Sequence, residues 1–183
     1  MASKKKTEAV GQLRLSSLRK GIGPGVTKTF GSACCEAAAV CLEERGHLVG
    51  VRLRVDGQFS REFTLHWQAS TNTMSRTWND DQDETEFGAM GIVFLLITRL
   101  TGLQVIERSK KGTGFDYWLG KDDELFQNSA RLEISGIRTG DDSQIQRRVQ
   151  QKHRQTAVSD ATKLPAFIIV VEFSRPISHV VQK

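Results

Sequence analysis

Two segments, GTGFDYWLG at residues 112–120 and ARLEISGI at residues 130–137, constrain this chain more than any other stretch. Both read as strands joined by a hairpin, and each carries one acid among apolar residues. Period-2 alternation sets Phe115, Tyr117 and Leu119 on one face and Asp116 and Trp118 on the other. In the second segment Leu132 and Ile134 oppose Arg131, Glu133 and Ser135. If the apolar sets share one core, Asp116 and Glu133 share the opposite face. Two neighbouring carboxylates repel, so the arrangement requires a metal ion, a basic partner or a raised pKa on one of them.

The surrounding pattern builds outward from these strands. Residues 28–45 are alanine-rich and end at Gly46, as a helix with a glycine C-cap does. Residues 49–55 and 59–67 alternate as two strands around the turn Asp56–Gly57. The polar stretch 72–83 reads as an exposed loop. A helix then starts with Asp83 as N-cap and Glu86 closing a capping box, and runs to Gly102. It is apolar almost all round, which marks a buried helix, and Gly88, Ala89 and Gly91 would let the sheet approach it closely. A strand at 103–108 and the turn KKGTG lead into the carboxylate pair. Residues 143–155 form a helix with Ile145 and Val149 inward, and after Pro165 the run AFIIVVEF reads as a strand buried on both faces.

This order predicts an α/β fold, a mixed sheet flanked by helices, with the core helix-strand-strand-strand-helix-strand at residues 83–183. Residues 26–82 would be a helix and β-hairpin extension packed on that core. Residues 1–25 would be a basic flexible tail and a glycine-rich turn.

Composition bounds the setting. The 183 residues are 38% hydrophobic and 26% charged with a formal net charge of +5, a balance that permits a polyanionic partner. The apolar run 91–97 is far too short to span a bilayer, and MASKKKTE has no apolar stretch behind it, so the expected location is cytoplasmic with no membrane partner. Cys34, Cys35 and Cys41 fall in one helix without metal-ligand spacing and read as packing thiols. His47, His66, His153 and His179 are scattered and show no ligand spacing either.

The helix, the acid of the second strand and the Glu-x-x pattern of the third resemble the PD-(D/E)XK superfamily, which has the restriction endonuclease-like fold of many nucleases. The resemblance spans about residues 83–174. It implies that Asp116 and Glu133, with the carbonyl of Ile134, hold Mg²⁺ or Mn²⁺ for phosphodiester hydrolysis, and that Glu86 is the acid on the preceding helix. Gln150 and Lys152 fall where the family places accessory residues. Ser135 stands where the family has its lysine, so the missing cation would come from Lys152 first or Lys111 second. The implied function is a nuclease of prokaryotic antiviral defence or DNA processing. The alternative is a non-catalytic nucleic-acid-binding or assembly subunit of the same fold, whose segment 28–67 would dock a protein partner or a second copy.

The residues themselves leave other readings open. Asp116 and Glu133 could instead form ion pairs with Arg131 or Arg108 on a solvated face. Lys110 and Lys111 in KKGTG could cradle a phosphate or simply border a hairpin. Arg147, Arg148, Gln150, Lys152 and Arg154 could follow a nucleic-acid backbone or be a solvated helix face. Trp118, sharing a face with Asp116, could stack a base, whereas Trp67 reads as packing in the hairpin.

Overall fold

The computed structural model describes residues 10–121 and 127–183. Residues 1–9, where a flexible tail is expected, and residues 122–126, between the two carboxylate segments, lie outside the described residues. The chain order is β1 (Gly11–Arg14), a 3-10 helix (Leu15–Lys20), α1 (Lys28–Glu44), β2 (Arg52–Gly57), β3 (Arg61–His66), α2 (Asn72–Thr77), α3 (Asp81–Thr101) and β4 (Gln104–Arg108). It continues with β5 (Tyr117–Gly120), β6 (Ala130–Ile137), α4 (Asp142–Gln155), a second 3-10 helix (Thr156–Thr162), β7 (Ala166–Glu172) and β8 (Ile177–Gln182).

All eight strands join one mixed sheet in the order β1-β3-β2-β8-β7-β6-β5-β4. The strands β4, β5 and β6 form an antiparallel meander, and α4 carries the chain over to β7, which lies parallel to β6. Strand β8 turns back against β7 and pairs in parallel with β2. The hairpin β2–β3 is thereby part of the same sheet as the carboxylate strands. The mixed α/β class read from the sequence holds.

Alternation along β7 separates the two helical layers. Phe167, Ile169 and Val171 join the main core with α1, α3, Tyr117, Leu119, Leu132 and Ile134. Val170 faces the other way and meets Ile145 and Val149 of α4 together with Ile177. Small residues set the contact between α1 and α3: a Cβ on Gly91 would lie 2.8 Å from the Cys34 carbonyl oxygen, and one on Gly88 would lie 3.2 Å from Ala38 Cα. The expectation that these glycines admit the sheet is corrected, because the neighbour they admit most closely is helix α1. Cys34, Cys35 and Cys41 are buried free thiols, as expected.

Other local expectations also change. From Gly11 the chain is structured, with β1 paired in parallel to β3 and Leu13, Leu15 and Leu18 buried, so this part of the expected tail is core. The polar stretch after Thr71 contains helix α2, capped by the Thr71 hydroxyl, which accepts from Met74 N at 3.2 Å. No residue of α2 is buried, which is why apolar periodicity does not reveal it. Helix α3 starts before Asp83. Its N-cap is Asp80, whose carboxylate accepts from the N–H groups of Gln82 and Asp83, so the capping box of Asp83 with Glu86 does not form. Among the described residues no helix is long and apolar enough to cross a membrane.

Candidate active site

Gly114 adopts φ +82° and lies against the Gln155 carbonyl, where a side chain would collide. That turn delivers Asp116 to the start of β5. The backbone N–H of Asp116 donates to Leu132 O at 2.8 Å, and its side-chain Oδ2 accepts from Ile134 N at 2.8 Å. Phe115, one residue earlier, departs from the expected alternation. It lies outside the main apolar core, with its ring edge-on to Trp118 at a centroid separation of 4.6 Å, because regular strand begins only at Tyr117.

Glu133, in the middle of β6, is fully buried. Its Oε1 accepts from Lys152 Nζ at 2.6 Å and from Gln155 Nε2 at 3.0 Å, both from α4. Its Oε2 is buried and finds no donor. The Asp116 carboxyl is beside it, and a hydrogen bond between the two requires a proton on one of them. Burial first, and then the Asp116 charge, raises the Glu133 pKa to about 7 against the opposing pull of Lys152. Burial also raises Asp116, opposed by the Ile134 N–H and by Lys152. The pair titrates as a unit.

The ion-pair alternative fails in its stated form. The Arg131 guanidinium turns into the second 3-10 helix and bonds Leu164 O, Thr156 O, Ser159 Oγ and Asp160 Oδ1. Arg108 lies over the rings of Phe30 and Tyr117, 6.0 and 5.9 Å from their centroids. The basic partner of the pair is Lys152.

A cleft of about 890 Å³ opens beside Asp116 between the start of α3, the end of β6 and α4, with Glu133 buried behind its lining. Asp116, Glu86, Ser135, Arg147, Arg148 and Lys152 all line it. Lys110, Lys111, Gln150 and Arg154 are exposed residues outside that lining. Glu86 shares the cleft but does not complete a metal cluster, since no group of three His, Cys, Asp or Glu residues placed to hold an ion occurs among the described residues. The Ser135 hydroxyl accepts from Arg148 at 2.7 Å.

Sequence reasoning missed Gln155, Arg138, Gln144 and Gln151. Gln155 holds Glu133, and the other three line the cleft. Their signal on α4 is helical spacing: 144, 148, 151, 152 and 155 fall on one face. Arg138 has no such signal. It bonds Asp81 from α3, Glu44 from α1 and, at 3.1 Å, the buried Glu84. Gly136 lets α3 come close, since a Cβ there would stand 2.5 Å from Thr85 O.

No family model, curated protein or solved structure matches this chain. The functional reading therefore rests on the residues and their geometry.

Proposed function

We propose that the protein is a metal-dependent nuclease of the restriction endonuclease-like type, acting on phosphodiester bonds in the cleft between α3 and α4. The observation that carries this reading is the buried Oε2 of Glu133, which lacks a donor and has a second carboxylate beside it. A hard divalent cation takes oxygen ligands of this kind, so the donor set fits Mg²⁺ or Mn²⁺. Asp116, Glu133 and the Ile134 carbonyl would hold it. The order α3-β4-β5-β6-α4-β7, with the meander and the parallel crossover, supports the resemblance to that fold.

When bound, the ion supplies Lewis acidity towards a phosphoryl oxygen and the leaving group. The chain's own residues do the rest. The Ile134 N–H fixes the Asp116 carboxylate, and Lys152 and Gln155 fix Glu133 from the α4 side. Lys152 offsets the charge of the pair, and Arg147 and Arg148 make the α4 wall attractive to phosphate.

The test is calorimetric titration of Mn²⁺ and Mg²⁺ into wild type and Asp116→Ala, followed by incubation with plasmid DNA, linear duplex and single-stranded RNA. Asp116-dependent metal binding with cleavage is expected, and inertness towards every substrate with either ion would overturn the reading. One observation favours a non-catalytic nucleic-acid-binding subunit instead: Oε1 of Glu133 is already satisfied by Lys152 and Gln155. In that case Asp116→Ala leaves nucleic-acid binding intact and no ion is taken up.

A further inference from the structure

We propose that Arg148 is the cation that grips the substrate phosphate beside the carboxylate pair, and that Ser135 is the residue that positions it. The inference rests on the nuclease reading and assigns the serine a task within it.

Ser135 follows Glu133 by two residues in β6, so the two side chains share a face about 6.7 Å apart along the strand. The Ser135 hydroxyl does not face the cleft unengaged. It accepts from Arg148 Nη1 at 2.7 Å, and the same nitrogen donates to Gly136 O at 3.3 Å. A short side chain at 135 leaves room for a guanidinium arriving from α4, one turn before Lys152. Arg148 is half-buried, so part of its hydration is already removed.

The other cations of the cleft are committed or loosely held. Lys152 is bonded to Glu133 and Arg138 to Asp81, Glu44 and Glu84. Arg147 makes only a 3.5 Å contact to Ser143 Oγ and is exposed. Arg148 has no carboxylate partner among the described residues, and its Nε and Nη2 have no hydrogen-bond acceptor there. An anchored Nη1 with Nε and Nη2 available is a fork that matches two oxygens of one phosphate. A lysine ammonium in the same place would be a point charge without that geometry.

The experiment uses the full chain as wild type, Arg148→Ala, Arg148→Lys, Ser135→Ala and Ser135→Thr. Binding to a fluorescein-labelled short DNA duplex and to a short single-stranded RNA is followed by anisotropy across a salt series without divalent ions. Cleavage of the same oligonucleotides is then measured with Mn²⁺. Arg148→Ala is expected to weaken binding at low salt and to reduce the slope of log K against log salt by about 0.9 on duplex or about 0.7 on single strand, one phosphate contact. Ser135→Ala keeps the charge, so the slope stays while cleavage falls roughly 10- to 100-fold through misplacement of the fork. Ser135→Thr, which keeps the hydroxyl, restores cleavage. Arg148→Lys keeps the slope but not the cleavage rate, and if the alanine variant does not fold, a lysine variant that cuts at the wild-type rate overturns the proposal. A wild type that cuts, beside an Arg148→Ala whose slope and rate are unchanged, overturns this proposal alone. Ser135→Ala cutting at the wild-type rate overturns the positioning role. A wild type that neither binds nor cuts overturns the nuclease reading and this inference with it.

Discussion

Lys152 Nζ, reaching across from α4, donates a 2.6 Å hydrogen bond to Oε1 of Glu133, a carboxylate with no solvent exposure. Removing one partner of a buried pair commonly costs about 3–5 kcal/mol, because the remaining charge is stranded. Glu133 has another course, since burial and Asp116 already raise its proton affinity and it can neutralise itself. Lys152→Met is therefore expected to cost less than that range at about pH 8, on the order of 2 kcal/mol, and less again at about pH 5. Urea denaturation at the two pH values reads both numbers. Equal losses would mean that the lysine does not compensate an ionised Glu133.

The carboxylate pair should itself be a burden on the metal-free fold. The folded pKa of Glu133, about 7, lies above its ordinary value of 4.5. Between those values the folded state holds the extra proton. The contribution is thus fully present below about pH 4.5 and is lost as pH rises through about 7. In Asp116→Asn the amide oxygen can still accept from Ile134 N, and the amide nitrogen can donate to the Glu133 carboxylate beside it. That variant is expected to bind no metal, yet to be about 1–3 kcal/mol more stable than wild type at pH 8, with the gap closing towards pH 5. His179, whose pKa burial lowers, contributes to pH dependence with the opposite sign, but it is common to both proteins and cancels in the difference. An Asp116→Asn protein less stable than wild type at pH 8 would show that the pair is not under repulsion.

The faces of Asp116 and Glu133 were legible because strand alternation is local, and Lys152 was legible as a cation on the following helix. Its reach to Glu133 was not, since that depends on how the crossover seats α4 on β6. The start of α3, read at Asp83, lies at Asp81 for a different reason. Asp80, Asp81 and Asp83 are all competent caps, and the outcome follows a tertiary contact, the pairing of Asp81 and Glu84 with Arg138. Strand β8 was hidden by Ser178 and His179, which dilute its apolar pattern although Ser178 is fully buried. Strand β1 is only four residues long and gains its meaning from β3, far along the chain.

Gly136 is required by packing rather than by backbone conformation. A Cβ at that position would stand 2.5 Å from Thr85 O and 2.6 Å from Thr85 Cγ2, so Gly136→Ala must push the first turns of α3 away from β6. Overpacking of this kind typically costs about 1–3 kcal/mol. Glu86 and Gln82 would move with Thr85, so the cleft should widen on that side. The expected result is a lower urea midpoint and, on the proposed nuclease reading, weaker nucleic-acid affinity. A variant with wild-type stability would show that α3 can yield at no cost.

Arg131 ties down the segment that follows α4, and its loss should reach the carboxylates indirectly. The side chain is 3% exposed and makes five hydrogen bonds to Thr156, Ser159, Asp160 and Leu164. The donors leave in a planar fork, which a lysine cannot reproduce. Arg131→Lys is expected to cost about 2–3 kcal/mol, and Arg131→Met a similar amount because the half-buried Leu164 carbonyl loses both of its donors, while Thr156 O keeps the Ser159 hydroxyl. For a chain of this size that corresponds to a fall in Tm of roughly 4–12 °C. Residues 156–164 adjoin Gln155, whose amide holds Glu133, so amide hydrogen exchange in both variants should quicken there first and spread to the end of α4. Exchange confined to the far side of the sheet would show that Arg131 does not anchor this segment.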